Sequence, residues 1–298
     1  MSQTISYVIP PEADGQTVQT FLRRDCGMSW RMVVKLKRVE NGIMLDGVHT
    51  RTIDPIKSGQ TLTVTMPTDA VKIEGADIPI DIVYEDGDLL VVNKPPFLAV
   101  HPSAGKLDPT LANAVVAYFE KQGKSLSFRP LNRLDRNTSG LLLAAKNPHV
   151  AYALTGEAKK EYIAIVLGEL RGEGTIDQPI RVKDGCTITR EVGEGGKDSV
   201  THWCSLATDG ELSLLSVVID TGRTHQIRVH MSWLGHPLVG DTMYGTDETL
   251  PRHALHCAAM TFEHPMSGEP IALRAPIPDD MRTLAEQRGW TEVLPCLP

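Results

Sequence analysis

The sequence predicts an α+β protein in two parts. A small N-terminal α+β domain covers residues 1–70, a linker covers 71–79, and a large domain covers 80–298 as a mixed, mostly antiparallel sheet with flanking helices. Three observations predict this. A chain of 298 residues has room for about two domains at roughly 150 residues each. Residues 69–79 are polar and carry no hydrophobic period, so they separate two patterned stretches. Beyond them, strand-like runs are interspersed with a few helical ones, and such helices pack on a sheet.

In chain order, residues 1–10 read as an extended lead-in. From Thr17, the residues Val18, Phe21, Leu22 and Cys26 repeat at helical spacing. Ser29 can cap a second short helix carrying Arg31, Lys35, Lys37 and Arg38. Gly42-Ile-Met-Leu, an Asp46-Gly47 turn and Val48 make a hairpin. Leu62, Val64 and Met66 then alternate along a half-buried strand. After the linker, two strands meet at Asp86-Gly87, and the second ends at Lys94-Pro95-Pro96, because proline cannot donate to a ladder. Residues 109–121 form an amphipathic helix through Leu111, Val115, Val116 and Phe119, and Pro148 opens another. Tyr162, Ala164 and Val166 alternate along a strand, and residues 170–197, rich in glycine and charge, read as strand fragments in an excursion. Two β-patterned runs follow, 199–206 and 212–219. Ile227, Met231 and Leu234 then share a helix face. Residues 255–262 and 271–274 close the sheet, and 278–288 form a last helix.

Hydrophobic content of 41% with 22% charged residues is ordinary globular composition. There is no apolar run near the ~18 residues a membrane helix needs and no basic-apolar leader, so no membrane segment and no export are expected. Five scattered cysteines without a C-x-x-C pair point to a reducing cytoplasm and away from zinc. His253, His256, Cys257 and His264 fit no common zinc spacing, so no metal is expected. No Walker or Rossmann glycine pattern is present. The net charge of −7 is awkward for a nucleic-acid binder. Distribution outweighs the sum, however: Arg23, Arg24, Arg31, Lys35, Lys37 and Arg38 oppose only Asp25 within their stretch, a basic stripe able to meet phosphate.

Two strings carry the chemistry. The first is Asn132-Arg133-Leu134-Asp135-Arg136-Asn137-Thr138-Ser139-Gly140, running into the apolar Leu141–Ala145. Arginines beside Asp135 are expected to hold it ionised, on a loop beside a buried strand where scaffolds present reactive groups. Taken alone, the tripeptide Arg133-Leu134-Asp135 reads as a salt-bridged turn. The second string is Asp220-Thr-Gly-Arg223-Thr-His225-Gln-Ile227-Arg228-Val-His230, followed by Gly235-His-Pro-Leu-Val-Gly240-Asp241-Thr-Met-Tyr244-Gly245. It places Arg223 and His225 at the positive end of a helix and Arg228 in its second turn, where anions collect.

Both strings resemble the signatures of the RluA-type pseudouridine synthases, as does Asn93-Lys94-Pro95 through Val100-His101-Pro102. The departure is Asn132, where the family has His. Asn keeps a hydrogen-bonding side chain but does not titrate near neutrality. Two small helices with a basic face, then short strands, resemble the S4 RNA-binding module often fused in front of such domains. The resemblance implies the pseudouridine synthase fold and an isomerase that converts uridine to pseudouridine in structured RNA, ribosomal rather than transfer RNA. The base is extruded for the reaction. Neither cofactor nor metal is expected to take part, and the protein is expected to act as a cytoplasmic monomer.

By the same resemblance, Asp135 is the nucleophile and Arg228 its buried partner. Tyr162 stacks on the uracil or assists proton transfer, and Ile227 packs under the base. Arg133 fills the gap left by the extruded uridine, and Arg223 and His225 bind substrate. Each residue also has a plain structural reading: Arg228 as a surface cation, Tyr162 as a core tyrosine, Arg133 as a partner of a helix end. The rival functions are a non-catalytic RNA-binding protein that retains the fold, which Asn132 favours, and glycosidic hydrolysis, which would release uracil.

Overall fold

The computed structural model describes residues 4–28, 30–65, 73–102, 108–124 and 126–293, without the side chain of Arg31. The expected Ser29 cap and the Met66 strand position lie outside the described residues. The chain divides between Lys72 and Ile73 into two units.

The small unit is built from β1 (Thr4–Val8), α1 (Val18–Arg24), α2 (Trp30–Leu36), β2 (Ile43–Leu45), β3 (Val48–His49) and β4 (Thr61–Thr65). Its sheet runs β1-β4-β2-β3, antiparallel throughout. The Thr17 hydroxyl accepts from the Thr20 N–H and starts α1. Val18, Phe21 and Leu22, at i, i+3 and i+4, then turn one face to the core shared with Val33, Leu36 and Leu62. The turn between β2 and β3 has positive φ at both Asp46 and Gly47, the geometry that matches strand twist in a two-residue hairpin. Arg23, Arg24, Lys35, Lys37 and Arg38 are all exposed on or just after the two helices, and the Lys37 ammonium lies 5.5 Å from the centre of the Trp30 ring.

The large unit contains β5 (Asp81–Glu85), β6 (Leu89–Lys94), α3 (Leu111–Lys121), β7 (Arg129–Pro130), β8 (Ser139–Ala145), α4 (Pro148–Leu154) and β9 (Lys159–Leu167). It continues with β10 (Glu173–Asp177), β11 (Ile180–Val182), β12 (Arg190–Val192), β13 (Val200–Thr208), β14 (Leu212–Ile219), α5 (Gln226–Trp233), β15 (Leu255–Glu263), β16 (Pro270–Arg274) and α6 (Asp279–Gln287). The main sheet runs β10-β13-β14-β9-β15-β8-β6-β5, with β16 added to β15 and β7 to β8. Within it β8 and β15 are parallel, and the other described pairs are antiparallel. The mixed, mostly antiparallel sheet is therefore present.

Both faces of its centre are buried, and β9 shows why. Tyr162, Ala164 and Val166 enter a core with α3, α4 and α5, whereas Ile163 and Ile165 enter a second core with Met281 and Leu284 of α6. Alternation thus separates two apolar layers rather than core from solvent. β8, buried at every position, reads as a continuous apolar run for the same reason.

Two boundaries differ from the sequence reading. Helix α3 begins at Leu111, because Thr110 and Asn113 form a capping box. The segment read as linker is, from Ile73, part of the large unit. Its Ala76 N–H donates to the Asn113 carbonyl (3.0 Å), and the Asn113 amide donates to the Glu74 carbonyl (2.8 Å). A polar composition therefore marked chain that uses backbone groups to dock on a helix. The excursion at 170–197 resolves into β10 on the sheet edge and a separate hairpin, β11–β12. No helix among the described residues is long and apolar enough to cross a membrane.

Candidate active site

The loop between β7 and β8 carries Asp135, and five side chains fix its shape. The Asn132 side chain comes first. Its amide donates to the Leu141 carbonyl (3.1 Å) and its oxygen accepts from the Leu143 N–H (2.8 Å), so a side-chain amide extends the β7–β8 pairing after Pro130. Thr138 Oγ1 pairs with His253 Nε2 (2.8 Å) and Ser139 Oγ with His256 Nδ1 (2.9 Å), which ties the end of the loop to β15 and the residues before it. The Arg252 guanidinium donates to the Asn137 carbonyl (3.3 Å) while paired with Asp280 (2.6 Å).

The fifth is Lys94, wholly buried at the end of β6. Its ammonium donates to the carbonyls of Pro95 (2.8 Å), Leu98 (2.9 Å) and Arg136 (3.1 Å), joining the loop after β6 to the Asp135 loop. Burial pushes its pKa down to about 7, with Arg252 adding to the fall and Asp135 opposing it.

The charge partner of Asp135 comes from elsewhere in the chain, which corrects the expectation drawn from its neighbours. Arg133 is exposed, and Arg136 points its Nε at the Phe97 carbonyl (3.1 Å). Instead Arg228, from α5, places Nη1 3.0 Å from Asp135 Oδ2. The rest of its fork grips Asp241, with Nε 2.7 Å from Oδ2 and Nη2 2.9 Å from Oδ1. This bidentate pair sets the guanidinium plane before Asp135 is met. Burial raises the Asp241 pKa, but the bonds and charge of Arg228 outweigh it and hold the carboxyl below its usual range. Asp135 Oδ1 accepts no hydrogen bond from the described residues.

A cleft of about 1390 Å³ opens over this pair, lined by Asp135, Tyr162, Ile227 and Arg228, and by Arg133, Arg223 and His225 as well. All the site residues predicted for the large domain therefore meet in one place. Tyr162 is 5% exposed and its hydroxyl lies against the Cys257 thiol; burial, then that neighbour, pushes its pKa up. Ile227 is buried at the start of α5, and Arg223 is exposed, its Nε donating to the Asp198 carbonyl (3.0 Å). The basic residues predicted to bind RNA, Arg23 to Arg38, belong to the other unit.

Sequence reading left several site residues without a role. Lys94, Asp241 and Tyr244 stood within quoted strings, where the signal was present but its use was not. His253 was weighed only as a metal ligand and Arg252 carried no signal, because both act through tertiary contact. Among the described residues, no cluster of His, Cys, Asp or Glu is placed to hold a metal ion. The arrangement offers a carboxylate with one oxygen held by a cation and the other without a partner among the described residues. Beside it are a buried aromatic wall and an apolar floor of a kind that suits a flat, uncharged ring.

Residues 88–233 match the RNA pseudouridylate synthase family. YjbO of Bacillus subtilis, described as an uncharacterized RNA pseudouridine synthase, is 35% identical over 269 residues, which cover 87% of this chain and 95% of that one. The ribosomal large subunit pseudouridine synthase D of Vibrio cholerae is 37% identical over 265 residues, 82% of each chain. Among solved structures, human RNA Pseudouridylate Synthase Domain Containing 1 superposes with a TM-score of 0.55 at 27% identity, covering 75% of this chain and 98% of that one.

Proposed function

Because this chain belongs to the RluA-type RNA pseudouridine synthases, we propose that it isomerises specific uridines of structured RNA, ribosomal RNA foremost, with Asp135 as the catalytic carboxylate. The target base swings out of the RNA into the cleft. The N1–C1′ bond breaks, the base turns, C5 joins C1′, N1 gains a proton and C5 loses one. Atoms balance without redox or an external group. Asp135 splits this change into two easier steps as a nucleophile. Arg228 holds it, Tyr162 and Ile227 enclose the ring, and Arg133 takes the space the base vacates. Arg223 and His225 contact the substrate from the start of α5. The name of the Vibrio cholerae relative supports large-subunit ribosomal RNA.

The observation that carries this reading is the ion pair of Asp135 with Arg228, 3.0 Å apart in a cleft that Tyr162 and Ile227 also line. The rival, a binding protein without catalysis, rested on Asn132. That residue's amide holds the loop in shape through Leu141 and Leu143, a task that needs no titrating group, so the rival loses its support. RNA carrying tritium at uridine C5 separates the two. The protein is expected to release the label with RNA mass unchanged, and Asp135→Asn to abolish release while binding RNA as before. Normal turnover by that variant would end the assignment.

The N-terminal unit is read as an S4-type RNA-binding module that meets phosphate with Arg23, Arg24, Arg31, Lys35, Lys37 and Arg38. It acts within a cytoplasmic monomer. Removing residues 1–72 is expected to weaken RNA binding and flatten its salt dependence. An unchanged slope in a binding titration from ~50 to ~200 mM salt would refute the basic stripe.

A further inference from the structure

Tyr244 touches Arg228 and His225, the two side chains set against Asp135 Oδ2. It lies in the loop after α5, where its carbonyl accepts from the Ser232 hydroxyl (2.6 Å). The Arg228 guanidinium stands 5.0 Å from the centre of its ring, and the His225 ring meets it edge-on at 5.6 Å and 74°. Its hydroxyl lies 2.7 Å from His225 Nδ1 and accepts from the Arg190 N–H at 3.0 Å.

A phenol has one proton to give, and among the described residues the acceptor in reach is His225 Nδ1. Neutral His225 then carries its own proton on Nε2, the nitrogen that faces Asp135 Oδ2 at 3.8 Å. The other tautomer would leave the phenolic proton without an acceptor among the described residues and turn a lone pair toward a carboxylate. His225 itself is held in the left-handed region, φ 59°, an uncommon conformation for a side-chain-bearing residue. The Gln226 side chain supports this turn, accepting from the Arg223 N–H (2.9 Å) and the Thr221 hydroxyl (2.8 Å).

We propose that Tyr244 is a positioning residue that fixes His225 as the Nε2–H tautomer, so that His225 and Arg228 together hold Asp135 by Oδ2 and leave Oδ1 as the reacting oxygen. This rests on Asp135 being the catalytic carboxylate. The 3.8 Å separation exceeds a hydrogen bond, and such contacts commonly tighten only when substrate is bound. The Arg190 N–H ties this relay to the β11–β12 hairpin.

The test uses the full chain and the tritium-release assay. Tyr244→Phe is expected to lower kcat about tenfold with KM within about twofold and an unchanged thermal melt. It is also expected to raise the pH at which the His225 ring titrates, followed by NMR. The sign follows from the hydrogen bond that His225 Nδ1 loses, within a fixed set of surrounding charges. Burial, first, pushes its pKa below the usual value; Asp135 from the β7–β8 loop and Asp241 oppose this, while Arg228 from α5 and Arg190 from β12 add to it. A phenol donating to Nδ1 favours the neutral ring further, so its removal lets His225 take a proton at higher pH. His225→Gln keeps an acceptor for the phenol and a donor for Asp135, and is expected to retain more activity than His225→Ala. Combining Tyr244→Phe with His225→Ala is expected to cost no more than His225→Ala alone.

A wild-type kcat and His225 titration in Tyr244→Phe, or additive losses in the double variant, would overturn the proposal. Should Tyr244→Phe lower the melt, the comparison of Gln with Ala at 225 decides, and equal activities refute the relay. Asp135→Asn is the control: if inert while Tyr244→Phe is normal, only the relay fails, and if active, the assignment of Asp135 fails first.

Discussion

Asn132 shows how one side chain can hold a reactive loop without taking part in chemistry. Its amide satisfies the buried N–H of Leu143 and the carbonyl of Leu141, groups that would otherwise lack a strand partner beyond Pro130. Replacing it with Leu orphans both, at about 1–3 kcal/mol for each buried group. Urea unfolding of Asn132→Leu is therefore expected to show a lower midpoint, with slower turnover because the backbone bearing Asp135 loses its anchor. Equal midpoints would mean the amide is decorative. Arg228 illustrates the opposite economy, where position depends on a second charge. Its bidentate pair with Asp241 is buried on both sides, with side chains 7% and 1% exposed, and removing one member of such a pair leaves an uncompensated charge.

The element that places the site is the parallel contact of β8 with β15, where Ser139 meets His256 and Gly140 meets Cys257. Gly140 has φ +107°, and a Cβ there would collide with the Cys257 backbone. Only glycine lets the Asp135 loop enter β8 this close to its neighbour. Gly140→Ala is expected to cost at least about 3 kcal/mol, from backbone strain and steric overlap together. Gly123 offers the comparison, since it too has positive φ, 71°, but open space around it. Its alanine variant is expected to cost only about 1 kcal/mol. Chemical denaturation of the two proteins checks the difference, and similar losses would mean the close approach to β15 contributes nothing.

For the whole molecule, buried histidines set the response to acid. Burial pushes His256 down to about 4 and His253 to about 3, each below the usual 6.5. The unfolded chain binds protons that these rings refuse when folded. Their contribution is thus complete above pH ~6.5 and is lost as pH falls toward the folded values, by up to about 1.4 kcal/mol per pH unit for each ring. Asp241 and Asp280, held below their usual value of 3.8 by Arg228 and Arg252 against the opposing effect of burial, extend the loss to still lower pH. Stability measured between pH 7 and 4.5 is expected to fall steadily, and His256→Asn to flatten the slope. A flat profile for the parent protein would contradict buried, neutral rings.

The strand-and-helix order and the β8 run were readable from the residues themselves, and the grouping of Asp135, Tyr162 and Arg228 from the family resemblance that the two strings carry. Hydrophobic period records which face each segment buries, and the two long strings record what chemistry needs. Folding decided the rest: that the adjacent arginines turn away from Asp135 while Asp241 grips the Arg228 that reaches it from ninety-three positions away, that residues from Ile73 dock on α3, and that His253, Lys94 and Arg252 brace the loop. Such contacts join residues distant in sequence. Hydrogen bonds between buried polar groups depend on where backbones cross, and no local pattern encodes that crossing.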